Sequence, residues 1–297
     1  MSLSPRTRLL ALSTSMLLLA GCGKAMDAIA AKACLEEDMS PKDDIEMCTR
    51  AIGATTDNVD LATMYLVRAQ AHNELDQLDE AVADLDKAIQ LDAELPEAWV
   101  ERGNVRIQQE KYDLAAADFA GAIELDPEYG DAHFGQAVVF ELTDRYDLAR
   151  APIERAIELF EDDLYARSEA RGERCWIRAV LGVELEDAIA DCDAALRADD
   201  EAYNVMDSRG LVNFRLGRHR DAIADYDRAL AGDPENADGH YVRGLARRAL
   251  GEAAQAEADI AKALQLDAEV AQRIAGYGVG VADVAAAVST TAGEATP

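Results

Sequence analysis

Aromatic residues, glycine and proline are all scarce in this sequence. Aromatic side chains make up 5% of the 297 residues, and there are 19 glycines and 7 prolines. The hydrophobic content is nevertheless 49%, which argues against wholesale disorder and leaves an apolar fraction that is largely aliphatic. This composition fits sheets badly, because strands favour aromatic residues, and it favours helices that pack closely through small side chains.

Basic residues are also few relative to acidic ones. Lys and Arg number 29 against 58 Asp and Glu, which gives a formal net charge of -29. A chain this acidic would repel the phosphates of a nucleic acid, so we expect no nucleic-acid partner.

The motifs of common catalytic and metal sites are missing from the sequence. It contains no phosphate-binding glycine loop, no GxSxG and no HExxH. The four histidines show no metal-ligand spacing: His72, His133, His219 and His240. We therefore predict no enzymatic activity, no cofactor and no metal site.

The N-terminus contains one apolar run, from residue 9 to residue 20, which follows Arg6 and Arg8. The run is too short to span a bilayer comfortably, which takes about 20 residues. Its length suits the hydrophobic region of a signal peptide. An ordinary secretion signal and an uncleaved anchor helix are both compatible with the run alone.

The run ends in Leu-Ala-Gly-Cys at residues 19–22, which resembles the lipobox of bacterial lipoproteins. The resemblance implies that residues 1–21 are a cleaved signal peptide and that Cys22 is acylated. It also implies a lipid-anchored protein of the bacterial cell envelope that faces the periplasm. Gly23 follows the cysteine where an Asp would favour retention in the inner membrane, so the outer membrane is expected.

An internal repeat dominates residues 62–270. Similar segments are aligned by six alanines that are spaced by 34, 34, 39, 34 and 34 residues: Ala81, Ala115, Ala149, Ala188, Ala222 and Ala256. A second alanine follows each of them seven residues later. Such a period is typical of stacked helix pairs and is not expected of a coincidentally alanine-rich bundle.

The repeat resembles the tetratricopeptide repeat (TPR). The best copy is residues 96–129, with these residues on consensus positions: Trp99, Gly103, Tyr112, Ala115, Phe119, Ala122 and Pro127. The resemblance implies an all-α protein, a right-handed TPR solenoid of stacked antiparallel helix pairs. Each pair has a first helix A and a second helix B, and small residues at their contact allow the two helices to approach closely.

The repeats divide the chain into six segments. We predict a lipoprotein signal peptide at 1–21, a linker and degenerate first TPR at 22–61, copies two to four at 62–163, copies five to seven at 164–270, a capping helix at 271–280 and a disordered tail at 281–297. The fifth copy begins five residues late, which predicts a longer first helix or a distorted junction over residues 164–181.

Four copies carry Arg at repeat position 7 and Asp at position 23. The pairs are Arg68 with Asp84, Arg102 with Asp118, Arg209 with Asp225, and Arg243 with Asp259. Either charge buried alone would be costly, so we expect an ion pair between helix A and helix B of one repeat. The alternative is that these arginines bind a ligand.

If Cys22 carries lipid, four cysteines remain, and three pairings are possible. We favour Cys34–Cys48 and Cys175–Cys192. Cys48 and Cys192 occupy repeat position 24, and we place Cys175 at position 7 of the facing helix. An oxidising periplasm permits such disulfides, and four buried free thiols are the alternative.

In the TPR family, positions 2, 5, 9 and 12 of helix A line the binding face. The resemblance therefore implies a peptide-binding groove formed by Leu66, Gln70, Val100, Asn104, Ile107, Phe134, Val138, Ile177, Leu211, Phe214, Tyr241 and Leu245. This apolar track with scattered polar groups suits an extended peptide or a partner helix. We expect about half of these residues to pack against the next repeat instead.

Four arginines recur at spacings of four, three and four, which places them along one helix stripe: Arg167, Arg171, Arg174 and Arg178. One hypothesis is that the stripe docks an anionic partner. The alternative is that it is solvated or paired with Glu169 and Glu173.

The resemblances together imply a membrane-anchored TPR scaffold or adaptor whose partner is a protein or peptide. The alternative is an assembly or pilot factor for an outer-membrane secretin or pilus machine. Small-molecule or glycan binding has no motif to support it.

Overall fold

A computed structural model describes residues 22–36 and 39–280. The predicted signal peptide and tail therefore lie outside the described residues. Within those ranges the chain is helical and contains no strand. The helices are α1 (Cys22–Glu36), α2 (Pro41–Ile52), α3 (Asn58–Glu74), α4 (Leu78–Leu91), α5 (Pro96–Gln108), α6 (Tyr112–Leu125), α7 (Gly130–Leu142), α8 (Tyr146–Leu159), α9 (Leu164–Leu181), α10 (Leu185–Ala198), α11 (Tyr203–Arg215), α12 (His219–Gly232), α13 (Ala237–Ala249), α14 (Ala253–Leu266) and α15 (Val270–Gly276).

The helices fall into two compact units. Unit 1 ends at Arg145 and contains α1 to α7, and unit 2 starts at Tyr146 and contains α8 to α15. Within each unit, consecutive helices pack as pairs: α1 with α2, α3 with α4 and α5 with α6 in unit 1, and α9 with α10, α11 with α12 and α13 with α14 in unit 2. The all-α prediction is confirmed.

Close approach of helices A and B depends on glycine opposite an aromatic ring. A Cβ atom built on Gly103 would lie 2.7 Å from the ring of Phe119, and one built on Gly210 would lie 2.8 Å from the ring of Tyr226. Both rings are buried. A larger residue at either glycine would have to displace the ring, so the sequence fixes the distance between the two helices.

The turn from helix A to helix B needs a left-handed residue. Gly217 and Gly251 fill this position in two copies with φ of 73° and 78°, and Glu110 fills it in another with φ of 58°. In the fifth copy the left-handed residue is Gly182 (φ 69°), and a second one, Glu184 (φ 49°), follows before α10 begins. This turn spans residues 182–184 and has three residues, as do the turns between α5 and α6 and between α11 and α12, but it contains two left-handed residues.

The long first helix predicted for the fifth copy is confirmed, because α9 spans Leu164–Leu181. Its predicted register is wrong by one residue. Arg174, and not Cys175, occupies the place that Arg209 has in α11, and Cys175 occupies the place of Gly210. The shift reflects one extra residue between Arg174 and its partner Asp191, which are 17 residues apart, where Arg209 and Asp225 are 16 apart.

Candidate functional site

The predicted ion pairs between helices A and B are confirmed in all four copies. The shortest N–O distances are 2.7 Å for Arg68–Asp84, 2.7 Å for Arg102–Asp118, 2.6 Å for Arg209–Asp225 and 2.7 Å for Arg243–Asp259. All four aspartates are buried. The hydrogen bond to Asp84 is the main cause that raises the pKa of Arg68 above its ordinary value. These arginines hold their own repeat together, which favours the structural interpretation over ligand binding.

Three of these aspartates, Asp118, Asp225 and Asp259, also bind a second group on helix A that the sequence analysis missed. Arg106 donates to Asp118 at 2.6 Å, Asn213 donates to Asp225 at 2.9 Å and Arg247 donates to Asp259 at 2.8 Å. Each donor lies four residues after the position-7 arginine, on the same helical face. The spacing of four residues could have revealed these donors in the sequence. The sequence analysis missed them because the donor is Arg in two copies and Asn in the third.

The position-7 arginines also link consecutive repeats. The Nη1 atom of Arg102 lies 2.6 Å from Asp86, that of Arg209 lies 2.7 Å from Asp193, and that of Arg243 lies 2.8 Å from Asp227. Each of these aspartates belongs to helix B of the preceding pair. One guanidinium therefore connects three helices, and its fork geometry suits this role.

The predicted anion-docking stripe is not supported in its second half. Arg174 and Arg178 both lie 2.6 Å from Asp191, and Arg178 also lies 2.8 Å from Glu184. Arg178 is buried. These two arginines are held within the repeat, as their counterparts in the other copies are. Arg167 and Arg171 remain on α9 as half-buried residues.

Both predicted disulfides are present, Cys34–Cys48 and Cys175–Cys192. All four cysteines are fully buried. Because of the one-residue shift in α9, Cys175–Cys192 lies where the α5–α6 and α11–α12 pairs have a glycine against an aromatic ring. Its Cα atoms are 5.6 Å apart. The disulfide therefore takes the place of a packing contact between helices A and B.

Acylation of Cys22 stays a prediction. Cys22 is the first residue of α1, and its side chain lies outside the described part of the chain. Among residues 22–36 and 39–280, no helix combines the length and the apolar character that crossing a bilayer requires.

Five of the seven groove residues predicted in unit 1 are partly accessible. They are Gln70 on α3, Asn104 and Ile107 on α5, and Phe134 and Val138 on α7, and all are half-buried. We call this set the first-helix face of unit 1. The other two, Leu66 and Val100, are buried and pack between helices.

A carboxylate adjoins the first-helix face of unit 1. Gln70 Nε2 donates to Glu101 Oε1 at 3.0 Å. Burial, and secondarily the nearby charge of Asp131, raises the pKa of Glu101 above its ordinary value. Amides, apolar side chains and this carboxylate can together bind the backbone and side chains of an extended peptide.

The corresponding residues of unit 2 are buried. Leu211, Phe214, Tyr241 and Leu245 are at most 9% exposed and share one apolar cluster with Val270, Ile274 and Val279 of the C-terminal region. Ile177 is also fully buried, so the groove position predicted for it is wrong. The shift in α9 places the half-buried Trp176 there instead.

Asp207 on α11 is a half-buried carboxylate. Burial, and then the charges of Asp238 and Asp233, raise its pKa to about 7, and a 3.0 Å hydrogen bond from Asn236 opposes that rise. The folded state therefore binds a proton more tightly than the unfolded state between about pH 4 and pH 7. The contribution of Asp207 to stability falls as the pH rises through this window and is constant above it.

Asp207→Asn is expected to stabilise unit 2 at pH 8 by about 1–2 kcal/mol, a value discounted for solvent access, and to have little effect near pH 4. The amide cannot ionise but keeps an oxygen that accepts from Asn236. Thermal unfolding at both pH values measures the difference. The exposed Asp200→Asn is the control, and an equal gain at both pH values for Asp207→Asn would contradict the account.

Sequence profiles of one repeat family match three parts of the chain. Profiles described as "Tetratricopeptide repeat" match residues 62–95 and 100–163, and one described as "TPR repeat" matches residues 210–251. No curated protein matches the chain at a significant level.

Solved structures with the same fold include YrrB, which is described as a TPR protein with an unusual peptide-binding site. It is 26% identical over 65% of this chain and 95% of its own, with a TM-score of 0.51. A TPR protein from Parabacteroides merdae is 14% identical over 91% of this chain and 98% of its own, with a TM-score of 0.56. PilW, a type IV pilus biogenesis factor, is 18% identical over 69% of this chain and 93% of its own, with a TM-score of 0.59.

Proposed function

The chain belongs to the tetratricopeptide-repeat family, and from this we propose that it is a membrane-anchored scaffold that binds other proteins or peptides in the bacterial envelope. The observation that carries the proposal is the first-helix face of unit 1. Three successive first helices there leave two amides and three apolar side chains partly accessible. In the same region, Arg68, Arg102 and Arg106 are already paired with buried aspartates.

The chemistry of that face favours an extended polypeptide as its ligand. Side-chain amides such as that of Asn104 carry both donors and an acceptor, so they can bind peptide groups without regard to sequence. Ile107, Phe134 and Val138 offer apolar surface to side chains of the partner. The fold of YrrB, a protein with a peptide-binding site, supports binding of this kind.

The proposed anchor is acylated Cys22. Several acyl chains at about 0.8 kcal/mol per buried CH₂ would hold the protein on a membrane stably. Residues 22–61, predicted as a linker and degenerate repeat, contain the α1–α2 pair, which the Cys34–Cys48 disulfide joins. Because α1 begins at Cys22, acylation there would keep unit 1 close to the lipid surface.

In this proposal the protein acts as an adaptor that binds soluble periplasmic proteins, such as cell-wall hydrolases or a protease, and it has no catalytic role. An outer-membrane location follows from Gly23 and belongs to the same proposal. Assembly of a pilus or secretin is the alternative. The likeness to PilW is one of fold, so the captured partner has to decide between the two roles.

Affinity capture from envelope extracts tests the function. The variant Asn104→Ala with Phe134→Ala is expected to retain less than about one tenth of the partner captured by the wild type, because two central contacts are worth about 1.4 kcal/mol or more. Mass spectrometry identifies and quantifies the bound proteins. Soluble hydrolases among them support the adaptor role, and a secretin or pilus subunit supports the assembly role.

The matched control is Leu114→Ala on α6, which removes an apolar side chain that is 49% exposed. It should leave capture unchanged. Equal capture by all three proteins would overturn the assignment of the first-helix face of unit 1.

A further inference from the structure

The chain turns back after α15. Gly278 adopts φ of 75°, and the backbone N–H of Val279 donates to the carbonyl of Ile274 at 3.2 Å, which closes α15. Val279 is 2% exposed. Residues 277–280, which we call the C-terminal segment, are therefore held in place by the helix cap.

Tyr277 of this segment contacts helices that are distant from α15 in the sequence. Its ring stands edge-on to Trp176 of α9, with centroids 5.8 Å apart, and edge-on to Tyr146 of α8, with centroids 6.3 Å apart. The Nη2 atom of Arg215, the last residue of α11, donates to the backbone carbonyl of Tyr277. The helix that precedes Tyr277, α15, packs on α13 and α14.

The contacts with Trp176 and Arg215 lie on two first helices of unit 2, α9 and α11. Trp176 comes two residues after Arg174, as Leu211 comes two residues after Arg209 and Leu245 two after Arg243. Leu211 and Leu245 are groove positions implied by the TPR pattern. Arg215 is positioned by a second bond, from Nη2 to the carbonyl of Val180 at 2.8 Å. Tyr277 thus occupies the part of unit 2 where a peptide ligand is expected.

The contacts of the C-terminal segment resemble those of a bound peptide with one anchor residue. The segment is held by the ring of Tyr277, by its backbone carbonyl and by Val279, which is buried in the apolar cluster of unit 2. Within residues 22–36 and 39–280, a Cβ atom built on Gly276, Gly278 or Gly280 would meet no atom within 4 Å. In the described part of the chain these glycines therefore leave space beside the anchor, which a partner segment could enter.

We propose that Trp176, Tyr146 and Arg215 form a docking site for an aromatic residue of a partner segment, and that Tyr277 occupies this site in cis. The proposal rests on the proposed function and specifies the ligand: an aromatic side chain with small neighbours, whose backbone carbonyl accepts from Arg215. A partner segment must displace Tyr277, so the intact chain binds more weakly than a chain with the site open.

The test uses the full chain and a fluorescent peptide with the chain's own sequence 274–281, IAGYGVGV. Fluorescence anisotropy should show that Tyr277→Ala binds this peptide about tenfold more tightly than the wild type, as expected for two lost edge-to-face contacts. Adding Trp176→Ala to Tyr277→Ala should abolish the gain. A peptide with Ala in place of its Tyr should not bind.

Two control variants separate docking from a purely structural role. Tyr277→Phe keeps the ring and should behave as the wild type, and so should Tyr165→Ala, which alters a tyrosine that is 55% exposed in the same unit. In a Trp99→Phe background, emission from Trp176 should change with Tyr277→Ala and return when peptide is added.

Equal peptide affinity of the wild type and Tyr277→Ala would overturn the proposal, and so would binding that survives Trp176→Ala. If Tyr277→Ala loses thermal stability and does not bind the peptide more tightly, Tyr277 only stabilises the fold. That result would also overturn the proposal. Neither result affects the capture of partners through Asn104 and Phe134. The capture experiment therefore tests the proposed function independently of this proposal.

Discussion

Replacing Asp118 with alanine is expected to lower the free energy of unfolding of unit 1 by about 3–5 kcal/mol. Asp118 is 1% exposed and accepts hydrogen bonds from Arg102 and Arg106 at 2.7 and 2.6 Å. Burial raises the pKa of Asp118 above its ordinary value in spite of these two arginines. Without the carboxylate, two guanidinium groups would remain between helices with no counter-charge at their centre.

The matched control is Asp86→Ala. Asp86 binds the same Arg102 at 2.6 Å, but its side chain is 54% exposed, so water replaces it at a cost of about 0–1 kcal/mol. Urea unfolding monitored by circular dichroism compares the two variants. Similar losses for Asp118→Ala and Asp86→Ala would contradict the view that buried pairs between helices A and B hold the repeats together.

Removing the Cys175–Cys192 disulfide is expected to destabilise unit 2 by about 3 kcal/mol. The two cysteines are separated by 17 residues, and a loop of that length restricts the unfolded chain by about this amount. Thermal unfolding of Cys175→Ala with Cys192→Ala measures the loss. Mass spectrometry of the unreduced wild type should show both disulfides formed.

The other repeats suggest a second variant for this site. Cys175→Gly with Cys192→Phe reproduces the contact of Gly103 with Phe119 without a covalent bond. It should recover the packing between α9 and α10, and so be more stable than the double alanine variant. Equal stability of the two variants would contradict the equivalence of the disulfide and the glycine–aromatic contact.

The sequence was most informative where the repeat period held. A spacing of 16 residues between Arg102 and Asp118 sufficed to predict their ion pair, because the same spacing recurs in the other copies. Prediction failed in α9, where the register was taken from Ala188 on the following helix. One extra residue between Arg174 and Asp191, which are 17 residues apart instead of 16, moved every position of α9 by one and exchanged Ile177 for Trp176.

The sequence alone could not show that the predicted groove residues are partly accessible in unit 1 and buried in unit 2. The TPR pattern assigned groove positions to Phe134 in unit 1 and Phe214 in unit 2 by the same rule. The structure leaves the first half-buried and buries the second. The difference comes from contacts such as that of Arg215 with Tyr277, which are 62 residues apart. No local pattern in the sequence records such a contact.

Site-specific photo-crosslinking at residue 134 tests the central claim most directly, because it reports which surface touches the partner in intact cells. We expect p-benzoylphenylalanine in place of Phe134 to give crosslinked adducts with envelope proteins, and the same group in place of the exposed Leu114 to give none. Adducts from position 114 alone, or from neither position, would contradict the claim that the first-helix face of unit 1 binds a protein partner.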